Sequence, residues 1–164
     1  MRRRRLLVAT LALVFSSSLA QTQQPPTALF APVTLKRTLE VIASARREMW
    51  LIAPTLRDVN IARALRSRTH AGVTLRLLIA NRAGYTAYEL ELARAANVDA
   101  RWLKERFGAA MLVVDDRAAI VSPLLSGVTS ASSATQSIEV SRPEAVAPIA
   151  ATLKQLFQTA KRLR

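Results

Sequence analysis

Apolar positions along this chain switch between two periods, and the switches mark out its elements. Residues 34–47 put Leu35, Leu39 and Ile42 on one helical face. The unbroken run Met49-Trp50-Leu51-Ile52-Ala53, stopped by Pro54, suits a strand buried on both sides. Thr55-Leu56-Arg57-Asp58 has the spacing of a capping box and opens a helix over 59–71, which Gly72 ends. A second strand follows over 73–80, then a loop over 81–84. The next helix, over 86–97, carries Leu90, Ala93 and Leu92 inward and leads into a short strand over 98–103. Met111-Leu112-Val113-Val114 and Ala118-Ala119-Ile120-Val121, on either side of Asp115-Asp116, read as a buried hairpin. Residues 122–137 are a Ser/Thr/Ala-rich stretch expected to be mobile, with a last strand beginning at Ser137. Beyond Glu144, the residues Val146, Ile149, Ala150, Leu153, Leu156 and Phe157 form the clearest helical stripe in the chain. No segment repeats another. Strands alternating with helices predict an α/β fold with a mixed central β-sheet flanked by helices.

Length and composition narrow the picture. The 164 residues, 51% of them hydrophobic, suffice for one packed domain. The domain is expected over 33–164, behind a Gln- and Pro-rich linker over 21–32. Ahead of it, Arg2 to Arg5 precede the apolar run 6–15, and Ser18 and Ala20 frame a cleavage site. That is the pattern of a bacterial secretory signal over 1–20, so the protein is expected in the periplasm or extracellular envelope. The apolar run is too short for a comfortable membrane span, although retention as an anchor is the alternative. Cysteine is absent, so an exported domain would rest on its core alone, without disulfides or thiolate zinc.

The formal charge is +13, and removing the four N-terminal arginines still leaves +9. Arginine predominates, which suits bidentate contact with phosphate. Candidate polyanion-binding residues are Arg57, Arg63 and Arg66 around the second helix and Arg101, Lys104 and Arg106 before the hairpin. Arg68 lies on that second helix too, while Lys154, Lys161, Arg162 and Arg164 decorate the last one. The alternative is a solvated positive surface that keeps the domain soluble. Tyr85 and Tyr88 are the stacking candidates, whereas Trp50 and Trp102 are expected in the core.

Motifs for other chemistries are missing. Only Gly72, Gly84, Gly108 and Gly127 exist, so no glycine-rich phosphate loop can form. No Gly-x-Ser-x-Gly elbow frames Ser122, Ser126, Ser130, Ser132, Ser133 or Ser137. Glu89 and Glu91 are two apart and cannot share a helix face. The single histidine, His70, ends the second helix, where a dipole-facing role suffices. No cofactor or metal is implied. Asp115-Asp116 reads first as a tight turn whose side chains bond nearby backbone amides.

The order and wording of these segments resemble one half-domain of the phospholipase D-like superfamily, over 33–163. Ile61-Ala62-Arg63-Ala64-Leu65, Ala71-Gly72-Val73-Thr74-Leu75-Arg76-Leu77-Leu78, Ala96-Asn97-Val98-Asp99-Ala100-Arg101 and Pro143-Glu144-Ala145-Val146 carry the resemblance. The family signature H-x-K-x4-D-x6-G-S-x-N falls on the hairpin between the last two of these. There the histidine position is Gly108, the lysine position Ala110 and the aspartate Asp115. The Gly-Ser-x-Asn positions are Ser122, Pro123, Leu124 and Leu125. In the family the histidine attacks phosphorus while lysine and asparagine neutralise phosphate oxygens. Gly and Ala supply neither a nucleophile nor a cation. The resemblance therefore implies a catalytically degenerate domain that acts as a binding or scaffold module. Its expected partners are nucleic acid or an anionic envelope polymer, and a second copy or a partner half-domain. The alternative is a residual phosphodiesterase that uses other residues, such as a serine of the 122–137 stretch.

Overall fold

A computed structural model describes residues 33–80, 85–103, 110–127 and 137–162. The secretory pattern, the linker, the 81–84 loop and Lys104, Arg106, Gly108 and Arg164 lie outside the described residues.

Among the described residues, seven strands form one sheet in the order β6-β5-β4-β1-β2-β3-β7. They are β1 (Glu48–Ala53), β2 (Thr74–Ile79), β3 (Val98–Trp102), β4 (Met111–Val114), β5 (Ala118–Val121), β6 (Ile138–Val140) and β7 (Lys161–Arg162). The helices are α1 (Leu35–Ala43), α2 (Val59–His70), α3 (Ala87–Ala93) and α4 (Pro143–Thr159). Strands β1, β2 and β3 run parallel, while β4, β5, β6 and β7 join antiparallel. The predicted mixed sheet between helices is what forms.

Strand alternation builds two cores at once. Met49, Leu51, Leu75, Leu77, Ile79, Leu112, Val114 and Ile120 face α1, α2 and α3. Ile52, Leu78, Val113 and Ala119 face α4, where Val146, Ala150, Leu153 and Phe157 close over them. Burial on both faces explains why β1, β2 and β4 are written as apolar runs rather than alternating ones. Connections through α2 and α3 put both helices on one side, as right-handed crossovers do. Trp50 meets Phe157 edge to face at 5.4 Å between centroids. The Arg76 guanidinium and the Lys154 ammonium lie 5.7 and 5.6 Å from the Trp50 ring centre. Trp50 and Trp102 are half-buried rather than fully internal.

Four boundaries differ from the sequence expectation, each for a physical reason. Helix α1 stops at Ala43 and not at 47, because the Arg46, Arg47 and Glu48 amides donate to Asp115. Asp58, rather than Thr55, caps α2, with its carboxylate accepting from Asn60 and Ile61. The true capping box is Thr86 with Glu89, at the head of α3. Helix α3 ends at Ala93, because Asn97 adopts a left-handed φ of 61° and donates from Nδ2 to Thr69 O. Leu92 is its buried leucine, Leu90 is only half-buried, and Glu89 takes an inward place. Lys161 and Arg162 do not extend α4 but pair with Trp102 and Arg101 at the sheet edge. None of the described helices is long and apolar enough to cross a membrane.

Leu153 is 2% exposed in the α4 core. Leu153→Ala is expected to cost ~2–5 kcal/mol in urea unfolding, and half-buried Leu156→Ala clearly less. Equal losses would contradict this placement of the α4 face.

Candidate functional site

The signature positions run up β4, around its turn and back down β5, so they occupy both ends of the sheet. Strand β4 is antiparallel to β1, with Ile52 opposite Met111 and Met49 opposite Val114. Ala110 and Ser122 therefore sit together at the carboxyl edge of β1 and β2, joined by Ser122 N–H donating to Ala110 O at 3.0 Å. Asp115 sits at the far edge, where its amide donates to Glu48 O at 3.0 Å. The Gly108 position lies outside the described residues.

At the carboxyl edge the described signature positions are packed rather than open. Ala110 is 1% exposed, Ser122 and Leu125 are 0% exposed, and Leu56 beside them is 0% exposed. A 3-10 turn, Pro123–Ser126, occupies the positions that the resemblance aligns with the Gly-Ser-x-Asn segment. Ser122 caps this turn by accepting from Leu124 N–H, with Pro123 at its first position. The turn directs Leu125, the asparagine position, into the core beneath α1 and α2. Gly127 ends it at φ 77°, so close to the second helix's lead-in that a Cβ there would lie 2.9 Å from Arg57 Cβ. The lead-in is itself held from the other side. Leu56 N–H donates to Glu89 at 2.6 Å, and Leu56 O accepts from the Thr86 hydroxyl at 2.8 Å.

Serine chemistry finds no support at this edge. The Ser122 and Ser137 hydroxyls bond each other at 2.6 Å, and both side chains are buried. Ser126 is 6% exposed and its hydroxyl has no partner among the described residues. Ser130, Ser132 and Ser133 lie outside them. His70 is exposed at the end of α2, in a groove with Arg66, Leu90, Glu91 and Arg94, and touches neither end of the signature. Among the described residues no group of metal-capable side chains gathers.

Asp115 works as an internal anion. Its Oδ1 accepts from Arg47 and Glu48 amides at 2.8 and 2.9 Å, and Oδ2 from Arg46 at 2.7 Å. These partners are remote in sequence, so the expectation of bonds to neighbouring amides is corrected. The turn itself is tight: Asp115 and Asp116 both hold positive φ, 51° and 55°, and Arg117 N–H donates to Val114 O at 2.9 Å. Asp116 points elsewhere, pairing with Lys154 at 2.8 Å. Burial alone would raise the Asp115 pKa. The three amides and the Arg47 charge outweigh that and hold it below the usual carboxylate value.

Comparison with solved structures identifies the architecture. NucT from Helicobacter pylori superposes with a TM-score of 0.64 at 13% identity, covering 79% of this chain and 90% of that one. The phospholipase D family member Nuc from Salmonella typhimurium gives 0.60 at 15% identity, covering 77% and 88%. This chain has the phospholipase D-like fold. TrmBL2, an archaeal chromatin protein whose structure shows a mode of DNA binding, has a TM-score of 0.59 at 16% identity. That match covers 82% of this chain and 52% of TrmBL2. No protein-family model matches the sequence, and no curated protein matches it.

On this phospholipase D-like scaffold the candidate basic residues do not converge. Arg57 and Arg63 are exposed at and along α2. Arg66 beside them is engaged by Glu91 across the α2–α3 groove. Arg101 lies on the opposite side of the sheet. It pairs with Asp99 at 3.2 Å, donates to Phe157 O at 3.0 Å and stacks 4.2 Å from the Phe157 ring centre. Lys104 and Arg106 lie outside the described residues. Tyr85 is 37% exposed, whereas Tyr88 packs on the core. Sequence reasoning missed a different gathering. Arg46, Arg68 and Arg117 line one cleft at the Asp115 end, brought there from the α1–β1 link, α2 and the hairpin turn.

The depressed Asp115 pKa makes an acid-side prediction. Its contribution to stability is complete above the unfolded value of about 3.9 and fades as pH falls through the lower folded value. Asp115→Asn keeps a residue tolerant of left-handed φ but removes the charge that three amides share. It is expected to cost ~2–3 kcal/mol at pH 7 and to flatten the stability curve below pH ~4. Urea titrations at several pH values would read both, and a variant with unchanged acid sensitivity contradicts the assignment.

Proposed function

We propose that this chain is an exported, catalytically degenerate phospholipase D-like domain acting as a binding or scaffold module rather than an enzyme. The observation that carries the reading is the packing at Ala110 and Leu125, 1% and 0% exposed where a lysine and an asparagine would have to reach phosphate. Catalysis of phosphoryl transfer rests on a positioned nucleophile and fixed cations at the reacting group. Methyl and isobutyl groups inside a packed edge offer neither. The retained Asp115 supports the reading as well, since its carboxylate serves the backbone.

The favoured partner is a polyanion, nucleic acid or an anionic envelope polymer, contacted through exposed arginines such as Arg57 and Arg63. The net charge favours it, and so does the DNA-binding chromatin protein among the structural neighbours. Export rests on the basic cluster and apolar run of 1–20, with cleavage after Ala20. Family analogy adds pairing with a second copy or a partner half-domain across the carboxyl edge.

Three measurements test this reading. Purified protein is expected to leave a chromogenic phosphodiester unhydrolysed, and turnover that scales with protein concentration refutes degeneracy. Ala110→Lys is expected to lose ~3 kcal/mol or more of stability, because an unpaired ammonium enters a packed site. A neutral effect would mean that the edge opens to solvent. Retention on heparin or DNA is expected to weaken with salt, and Arg57→Glu with Arg63→Glu to elute earlier. Salt-independent retention rejects the polyanion.

A further inference from the structure

The cleft at the Asp115 end is separate from the signature's carboxyl edge and from Arg57 and Arg63. It has a volume of about 520 Å³ and is lined by Ser44, Arg46, Arg68, Asp115 and Arg117, among others. Three arginines thus share the lining with one carboxylate. That carboxylate is 7% exposed and already accepts three amide hydrogen bonds, which leaves little of it to pair with the arginines. Among the described residues no acidic side chain forms an ion pair with Arg46, Arg68 or Arg117, whereas Arg37, Arg66, Arg76, Arg101 and Lys154 all have one.

The helix ends nearby do not use up these cations either. The last carbonyls of α1 accept from the Ser44 and Ala45 amides, and those of α2 from Ala71, Gly72 and Val73. Arg68 is anchored through one terminal nitrogen to Ala45 O, while its Nε is buried without a partner among the described residues. The Arg68 side chain as a whole is only half-buried and borders the cleft. Arg46 and Arg117 flank it from exposed positions on separate segments. Guanidinium donors contributed by three segments around a cleft larger than a phosphate suit an oxyanion with several acceptor oxygens.

We propose that the Arg46–Arg68–Arg117 cleft binds a phosphate group. The phosphate is carried by a small ester or by a nucleic-acid strand. The site stands independently of the polyanion reading above, because it shares none of that reading's arginines. Calorimetric titration of the full chain with inorganic phosphate tests it, using Arg46→Ala with Arg117→Ala. Arg68 is left in place because it also ties Ala45. A tenfold or greater loss of phosphate affinity is expected in that double variant, and no change in Arg57→Ala with Arg63→Ala. A short DNA strand with and without a 5′-phosphate then separates the sources. Binding that requires the 5′-phosphate and is lost in Arg46→Ala with Arg117→Ala assigns a monoester, and equal binding of both strands that is weakened in that double variant assigns a backbone phosphodiester. Absence of phosphate binding by the parent chain overturns the proposal, as does unchanged affinity in a folded Arg46/Arg117 double variant. Loss confined to the Arg57/Arg63 variant overturns this site while leaving the polyanion reading intact.

Discussion

The sheet depends on the junction of two distant segments, the start of β1 and the end of β4. Asp115 joins them by accepting the Arg46, Arg47 and Glu48 amides, which would otherwise lack partners as α1 gives way to β1. The same residue holds a left-handed φ of 51° at the hairpin turn, so one side chain sets both the register and the reversal. Shifting either segment by one residue would exchange the two faces, sending Val113 toward α2 and Leu112 toward α4. A buried carboxylate that satisfies three backbone donors is stable where one facing apolar groups is not. This explains how the acid of the signature can stand in a chain whose other signature positions are small or apolar.

The two ends of β4 therefore do unrelated work. At the acid end, backbone geometry demands a carboxylate whatever reaction the other end performs. At the Ala110 end nothing structural demands a lysine, and the space closes once short and apolar groups line it. Closure here is cooperative. Leu125 fills the core only because the 3-10 turn forms, and the turn ends against Arg57 only because residue 127 lacks a side chain. Glu89 and Thr86 hold the Leu56 segment from the opposite side.

Legibility in the sequence followed how each element is stabilised. Strands β1, β2, β4 and β5 were readable because burial on both faces writes apolar runs, and α4 because its stripe runs from Val146 to Phe157. Strand β7 was not, since two charged residues at an edge pair through backbone alone. Two segments, 55–58 and 86–89, both spell a capping box, and only burial separates them. Leu56 must be extended to enter the core, which moves the cap to Asp58. The positions that the resemblance assigns to the signature could be counted off, but their packing could not, because it is contributed by the 3-10 turn at Pro123–Ser126. The role of Asp115 left no side-chain signal at all, as its partners are amides 67 to 69 residues upstream.

Charge shows the same separation between what a chain spells and what a fold assembles. Arg63 and Arg66 look like a pair three residues apart, yet Glu91 occupies one of them. Arg101 looks exposed beside the hairpin, yet Asp99, Phe157 O and the Phe157 ring consume its donors and its face. Arg46, Arg68 and Arg117 have no proximity in sequence and become neighbours only when Asp115 draws the hairpin turn onto the start of β1. The constraint that sets the register thus also collects the unpaired guanidiniums. An anion bound among them would pull on the two segments that Asp115 joins and on α2, which Arg68 ties to Ala45 O. Phosphate binding should therefore be thermodynamically linked to the stability of the central hairpin.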